Sequence, residues 1–142
     1  MKKKGDQIMK NIRIKSQNRS CFVGGRNYEY FDVIADSERF GQNAIMCQGT
    51  FAECIAYLER CGVDYLSECI KRNRGADIQV SFRMYRIIGE DETGLLLKSR
   101  DGFERKLLFS DMTPTAPNTF KIERDLFGKN AATVKMMTAR AW

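Results

Sequence analysis

Apolar and polar positions alternate in several short stretches of the chain, and in one region the apolar positions recur at helical spacing. Residues 11–15 put Ile12 and Ile14 on one side, the period of a half-buried strand. Residues 17–27 are polar and glycine-bearing and predict a loop around Cys21-Phe22-Val23. Residues 28–35 are rich in aromatic and β-branched side chains and predict a strand. A turn over 36–42 and a strand over 43–48 complete a hairpin with it. Residues 77–88 predict one long strand, with Val80, Phe82 and Met84 alternating against Ser81, Arg83 and Tyr85. Residues 95–100 and 103–109 flank Asp101-Gly102, a type I′ turn signal, and predict a second hairpin. Pro114 and Pro117 fall in a predicted loop, and residues 119–123 in a strand. Residues 130–142 fit a helix with Val134, Met137 and Ala141 on one side, or equally a strand.

The helical spacing starts at Thr50. Thr50-Phe51-Ala52-Glu53 is a capping box, in which the threonine hydroxyl accepts from the amide three residues on and the glutamate reaches back. Phe51, Cys54, Ile55, Leu58 and Cys61 then form one apolar stripe, and Gly62 suits the left-handed residue that ends a helix. Asp64 caps a second predicted helix that turns Leu66, Cys69 and Ile70 inward and runs to about residue 73. The expected fold is therefore α+β: a mainly antiparallel sheet, a helical hairpin over about 50–73 packed on one face, and a C-terminal helix or strand.

Composition narrows the class. With 43% hydrophobic and 30% charged residues in 142, the chain is of ordinary globular type and long enough for one domain without disulfides or metal. Residues 9–142 are expected to form that single domain. Residues 1–8 read as a mis-annotated or disordered leader. Lys4-Gly5-Asp6 can be encoded by bases containing a ribosome-binding core at a natural distance before the codon of Met9. Without residues 1–8 the net charge falls from +6 to +4. The leader reading points to a protein of bacterial or phage type, and the five cysteines, 21, 47, 54, 61 and 69, odd in number and following no signal sequence, point to reduced thiols and the cytoplasm. No apolar run is long enough to cross a bilayer as a helix.

Histidine is absent, which removes Ser-His and Cys-His nucleophile pairs, imidazole acid-base chemistry and every His-containing zinc site. No Cys-x-x-Cys pair exists to nucleate a zinc centre. Glu90-Asp91-Glu92 reads as a solvated loop rather than a cation site. No catalytic residue, metal or cofactor is therefore assigned. The two predicted helices are similar to a helix-turn-helix, but Leu58 stands where the crossing helices need a small residue and Glu68 where the second needs an apolar one. Cys21-Phe22-Val23-Gly24-Gly25 is similar to the first strand motif of the RNA-recognition fold. Arg100-Asp101-Gly102-Phe103 is similar to its second, but the order and separation of the two break that pattern.

The basic hairpin carries the functional expectation. A two-residue turn pairs Arg100 with Phe103, Lys98 with Arg105 and Leu96 with Leu107, so Lys98, Arg100, Phe103 and Arg105 share one side. Cations around an aromatic ring are the chemistry of a phosphate-and-base platform. Lys71, Arg72, Arg74 and Arg83 are secondary basic candidates. The expected function is a non-enzymatic binding module contacting nucleic acid or a nucleoprotein. The alternative is a small phage or mobile-element protein that inhibits or modulates a host defence complex by docking on it. A membrane partner is not expected.

Overall fold

The computed structural model describes residues 9–73, 77–127 and 130–136. The chain divides into two compact units, Met1–Glu68 and Cys69–Trp142, each built on its own antiparallel sheet. Strand dominates and the two helices are short, so the α+β class holds with the sheet as its main component.

In the first unit β1 (Met9–Val23), β2 (Arg26–Ser37) and β3 (Gly41–Gly49) follow one another as a meander. Ile12, Ile14, Phe31, Val33 and Ala35 are buried and give the sheet an apolar face. Helix α1 (Phe51–Arg60) lies on that face with Cys54 and Leu58 wholly buried. The Cys54 thiol donates to the Phe31 carbonyl at 3.7 Å, and the Phe51 ring meets the Phe31 ring edge-on at 5.6 Å. The predicted capping box forms: the Thr50 N–H donates to Glu53 Oε1 at 2.9 Å and the Glu53 N–H to Thr50 Oγ1 at 3.3 Å. At the other end the Val63 N–H reaches the Leu58 carbonyl and the Gly62 N–H the Glu59 carbonyl, with Gly62 at φ +74°, which is a Schellman motif. Asp64 then accepts from the Leu66 N–H at 3.3 Å and starts α2 (Tyr65–Arg72). The division between the units falls inside α2.

The loop expected over residues 17–27 is corrected to a hairpin. β1 and β2 stay paired from Ser20↔Glu29 to Val23↔Arg26, beyond the last β2–β3 pair at Phe31↔Gly49, and so form a two-stranded ribbon. Gly24 and Gly25 close it at φ +59° and +79°, the two positive values a type I′ turn requires. Asn11, Asn18 and Asn43 also adopt positive φ, and β1 shifts register around Asn11 and Asn18. The Asp36 carboxylate ties two of these irregular positions together, accepting from the Asn43 N–H at 3.0 Å and from Asn11 Nδ2 at 2.6 Å. These bonds, the Asn43 amide foremost, hold its carboxyl below the usual carboxylate range.

The second unit comprises β4 (Asp77–Val80), β5 (Arg83–Glu90), β6 (Gly94–Ser99), β7 (Glu104–Leu108), β8 (Thr113–Ala116), β9 (Thr119–Ile122) and β10 (Ala132–Met136). They form one sheet in the order β7-β6-β5-β4-β10-β9-β8. Ile78, Tyr85, Leu97, Phe120, Ile122 and Val134 are buried on one face. Arg105 on β7 donates to the Leu126 carbonyl in the β9–β10 connection at 3.3 Å, which ties that connection to the β7 edge.

Two expectations change here and one alternative is decided. Residues 77–88 are two strands, because a two-residue turn at Ser81-Phe82 joins Val80 to Arg83. Ser81 takes φ +57°, and no Gly, Asn or Pro marks the turn in the sequence. Pro114 lies in β8, an outermost strand where its missing N–H is tolerated, and only Pro117 turns, beside Asn118 at φ +56°. The C-terminal alternative resolves to strand at Ala132–Met136, while Met137 and Ala141 lie outside the described residues, as do residues 1–8.

A Cβ on Gly94 would sit 2.3 Å from the Leu107 carbonyl oxygen, whereas one on Gly89 would meet Leu96 at an ordinary 3.6 Å. Gly94→Ala is expected to cost about 1–3 kcal/mol of stability by overpacking, with Gly89→Ala well below it, in urea denaturation. Thr50→Ala is expected to lose about 1 kcal/mol in the same assay as the cap is removed.

Candidate functional site

The β6–β7 hairpin is closed by three residues, not two. The Ser99 N–H donates to the Phe103 carbonyl at 2.9 Å, the Gly102 N–H to the Ser99 carbonyl at 3.0 Å, and Gly102 takes φ +86°. The strands therefore pair Lys98 with Glu104, Leu97 with Arg105 and Leu95 with Leu107. The expected pairing is one residue out of step, and a one-residue slip moves every side chain of one strand to the other side. The pairing of Lys98 with Arg105 and of Arg100 with Phe103 is corrected accordingly.

The four primary candidates separate. Lys98 stays exposed on the open face of the sheet, and Arg100 is exposed in the turn. Phe103 and Arg105 belong to the side that buries Leu97, near its rim. The Arg105 guanidinium lies 3.7 Å from the centre of the Phe103 ring, and the Phe103 and Phe127 rings are 5.8 Å apart. Arg83 stacks on Phe127 at 4.9 Å and completes a ladder of cation, ring, ring and cation. Arg105 also donates to the Leu126 and Glu104 carbonyls at 3.3 and 2.8 Å, so its donors hold the chain together. Of the other secondary candidates, Lys71 and Arg72 occupy the last turn of α2, and Arg74 lies outside the described residues.

A cation that the sequence reading missed replaces Arg105 beside Lys98. Arg86 on β5 is directly opposite Lys98 on β6, on the same open face. Arg86, Lys98 and Arg100 line an open groove of about 510 Å³ together with Met84, Ile88 and Asp77. Glu104 and Asp77 flank the like-charged pair in register. Among the described residues none of the three cations makes an ion pair with them. Like charges directly opposite on a sheet destabilise it by a few tenths of a kcal/mol or more. The charge is also unevenly divided. Residues 69–142 hold fourteen of the 24 Lys and Arg and nine of the 18 Asp and Glu, a net +5, and residues 1–68 a net +1.

Other chemical candidates are accounted for structurally. Asp91 Oδ1 accepts from the Thr93 N–H and hydroxyl and from the Gly94 N–H, and Oδ2 accepts from Lys106 Nζ at 2.5 Å. Lys106 foremost holds the Asp91 carboxyl far below the usual carboxylate range, and the carboxylate serves to close the β5–β6 loop. Burial pushes the Cys54 thiol up to about 12, which keeps it protonated and unreactive at neutral pH. No cluster of three or more His, Cys, Asp or Glu able to hold a metal occurs among the described residues. No helix among them is long and apolar enough to cross a membrane. No protein-family model, curated protein or solved structure matches the chain.

Since Arg105 stacks on Phe103 and bridges to Leu126, Arg105→Ala is expected to lower stability by about 1–3 kcal/mol in urea denaturation. Lys98→Ala should change it by no more than about 0.5 kcal/mol.

Proposed function

We propose that the chain is a non-enzymatic binding module that holds nucleic acid against the open face of its second unit. The observation that carries this reading is the Arg86–Lys98 pair, directly opposed, joined by Arg100 around one groove, and with no ion pair to the Asp77 and Glu104 that flank it in register. A phosphate backbone relieves the repulsion between such cations and releases its own counterions on binding. The net +5 of this unit adds long-range attraction to a polyanion, and Met84 and Ile88 offer apolar contact inside the groove. The absence of histidine supports a binding role over a catalytic one. In this reading helix α1 is a structural cover for the first sheet and reads no DNA. The five free thiols favour a reducing compartment such as the cytoplasm.

The alternative, docking on a host protein complex, draws on the β1–β2 ribbon, where Phe22 and Val23 are 73% and 55% exposed at the tip. Salt separates the two readings, because apolar docking releases no counterions.

The test is fluorescence anisotropy with single-stranded and duplex oligonucleotides across a salt series. The triple variant Arg86→Ala, Lys98→Ala, Arg100→Ala is expected to bind more weakly than the wild type. It should flatten the dependence of log affinity on log salt by about two units for a single strand, with an unchanged melting curve. Absence of wild-type binding at low salt overturns the proposal in favour of protein docking.

A further inference from the structure

Phe82 is 98% exposed, the most exposed of the large apolar side chains described. It does not dangle from a loose loop. The Ser81-Phe82 turn is held by the Ser81 N–H donating to the Thr133 carbonyl at 2.9 Å and by Gln79 Nε2 donating to the Ser81 carbonyl at 2.8 Å. A ring this exposed, on a backbone that is held, contributes nothing to the core and forgoes the stabilisation that its burial would bring. Two depressions meet at it. One, of about 390 Å³, is lined by Lys121 and Thr133, and the other, of about 230 Å³, by Arg83, Phe127 and Tyr85. One cation lines each depression: Lys121, whose Nζ lies 3.8 Å from Glu123 Oε1, and Arg83, which belongs to the Arg83–Phe127–Phe103–Arg105 ladder. Asp125 also lines the smaller depression, and its Oδ1 accepts from the Phe127 N–H at 2.9 Å. Phe82, Met84 and Arg86 follow at two-residue intervals, so Phe82 lies within roughly 13 Å of the Arg86–Lys98 groove along β5.

We infer that Phe82 is a stacking platform for an unpaired nucleobase, and that the module selects single-stranded over duplex nucleic acid. The inference rests on the proposed nucleic-acid reading and adds its substrate class. An isolated aromatic ring beside cation-lined depressions accepts the face of any base while the cations take the flanking phosphates. Inside a duplex both faces of each base are already stacked, so the same ring finds no partner there.

Anisotropy of the full chain with a single-stranded DNA oligomer, a duplex of equal length and a base-free abasic strand tests this. Phe82→Ala is expected to weaken single-strand binding at least about fivefold. It should leave the salt slope, duplex binding, abasic-strand binding and the melting curve unchanged, and Phe82→Trp should restore wild-type affinity. If wild-type protein binds strand and duplex alike and Phe82→Ala changes neither, the stacking inference falls while the charged groove stands. A loss of equal size on the abasic strand also overturns it. If the wild type binds no nucleic acid at low salt, both readings fall together.

Discussion

Ser99 sets the register on which the second unit depends. Its backbone and its hydroxyl both bond to the far side of the turn, the Phe103 N–H donating to Ser99 Oγ at 3.0 Å. With three residues in the turn, Leu95, Leu97 and Leu107 fall on the buried side together. That choice sends Lys98 outward to meet Arg86, and turns Arg105 inward to cap the aromatic pair. With two residues in the turn, Leu96 and Lys98 would face the core, and burying the ammonium would cost several kcal/mol.

Several elements were legible because their signals are local. The Thr50 capping box, Gly62 and Asp64 each act within a few residues, and each forms as the sequence implies. Strands with one buried side, such as the one carrying Phe31, Val33 and Ala35, also declare themselves. The failures have physical causes. Leu95-Leu96-Leu97 is apolar at every position, so its alternation cannot say which side is buried and the turn length decides. Ser81-Phe82 turns with residues that carry no turn signature, so two strands read as one and Phe82 was assigned to a strand side. Gly24-Gly25 did carry a hairpin signature, but the polar composition around it masked a ribbon that buries little.

The candidate site was legible only in its chemistry. Cations beside an aromatic ring were expected in the region of residues 98–105, and they exist there, but as two separate arrangements. Arg105 and Phe103 face each other within the molecule. Lys98 and Arg100 face solvent with Arg86, whose position depends on the turn at Ser81-Phe82 that the sequence hid. A cross-strand neighbour cannot be read from sequence until both the turn and the register are right.

The outermost strands of the larger sheet limit how the protein meets other chains. β8 carries Pro114 in a four-residue strand, and β7 is five residues long with Glu104, Arg105 and Lys106 in succession. Neither edge is a flat apolar template onto which another strand adds. The seven-stranded sheet thus terminates its own growth on both sides, even though it keeps Met84, Ile88 and Leu96 uncovered on its open face. Strand-by-strand fibre growth from the larger sheet is then blocked at both edges, which leaves its open face and its turns as the surfaces on which this unit can meet another molecule.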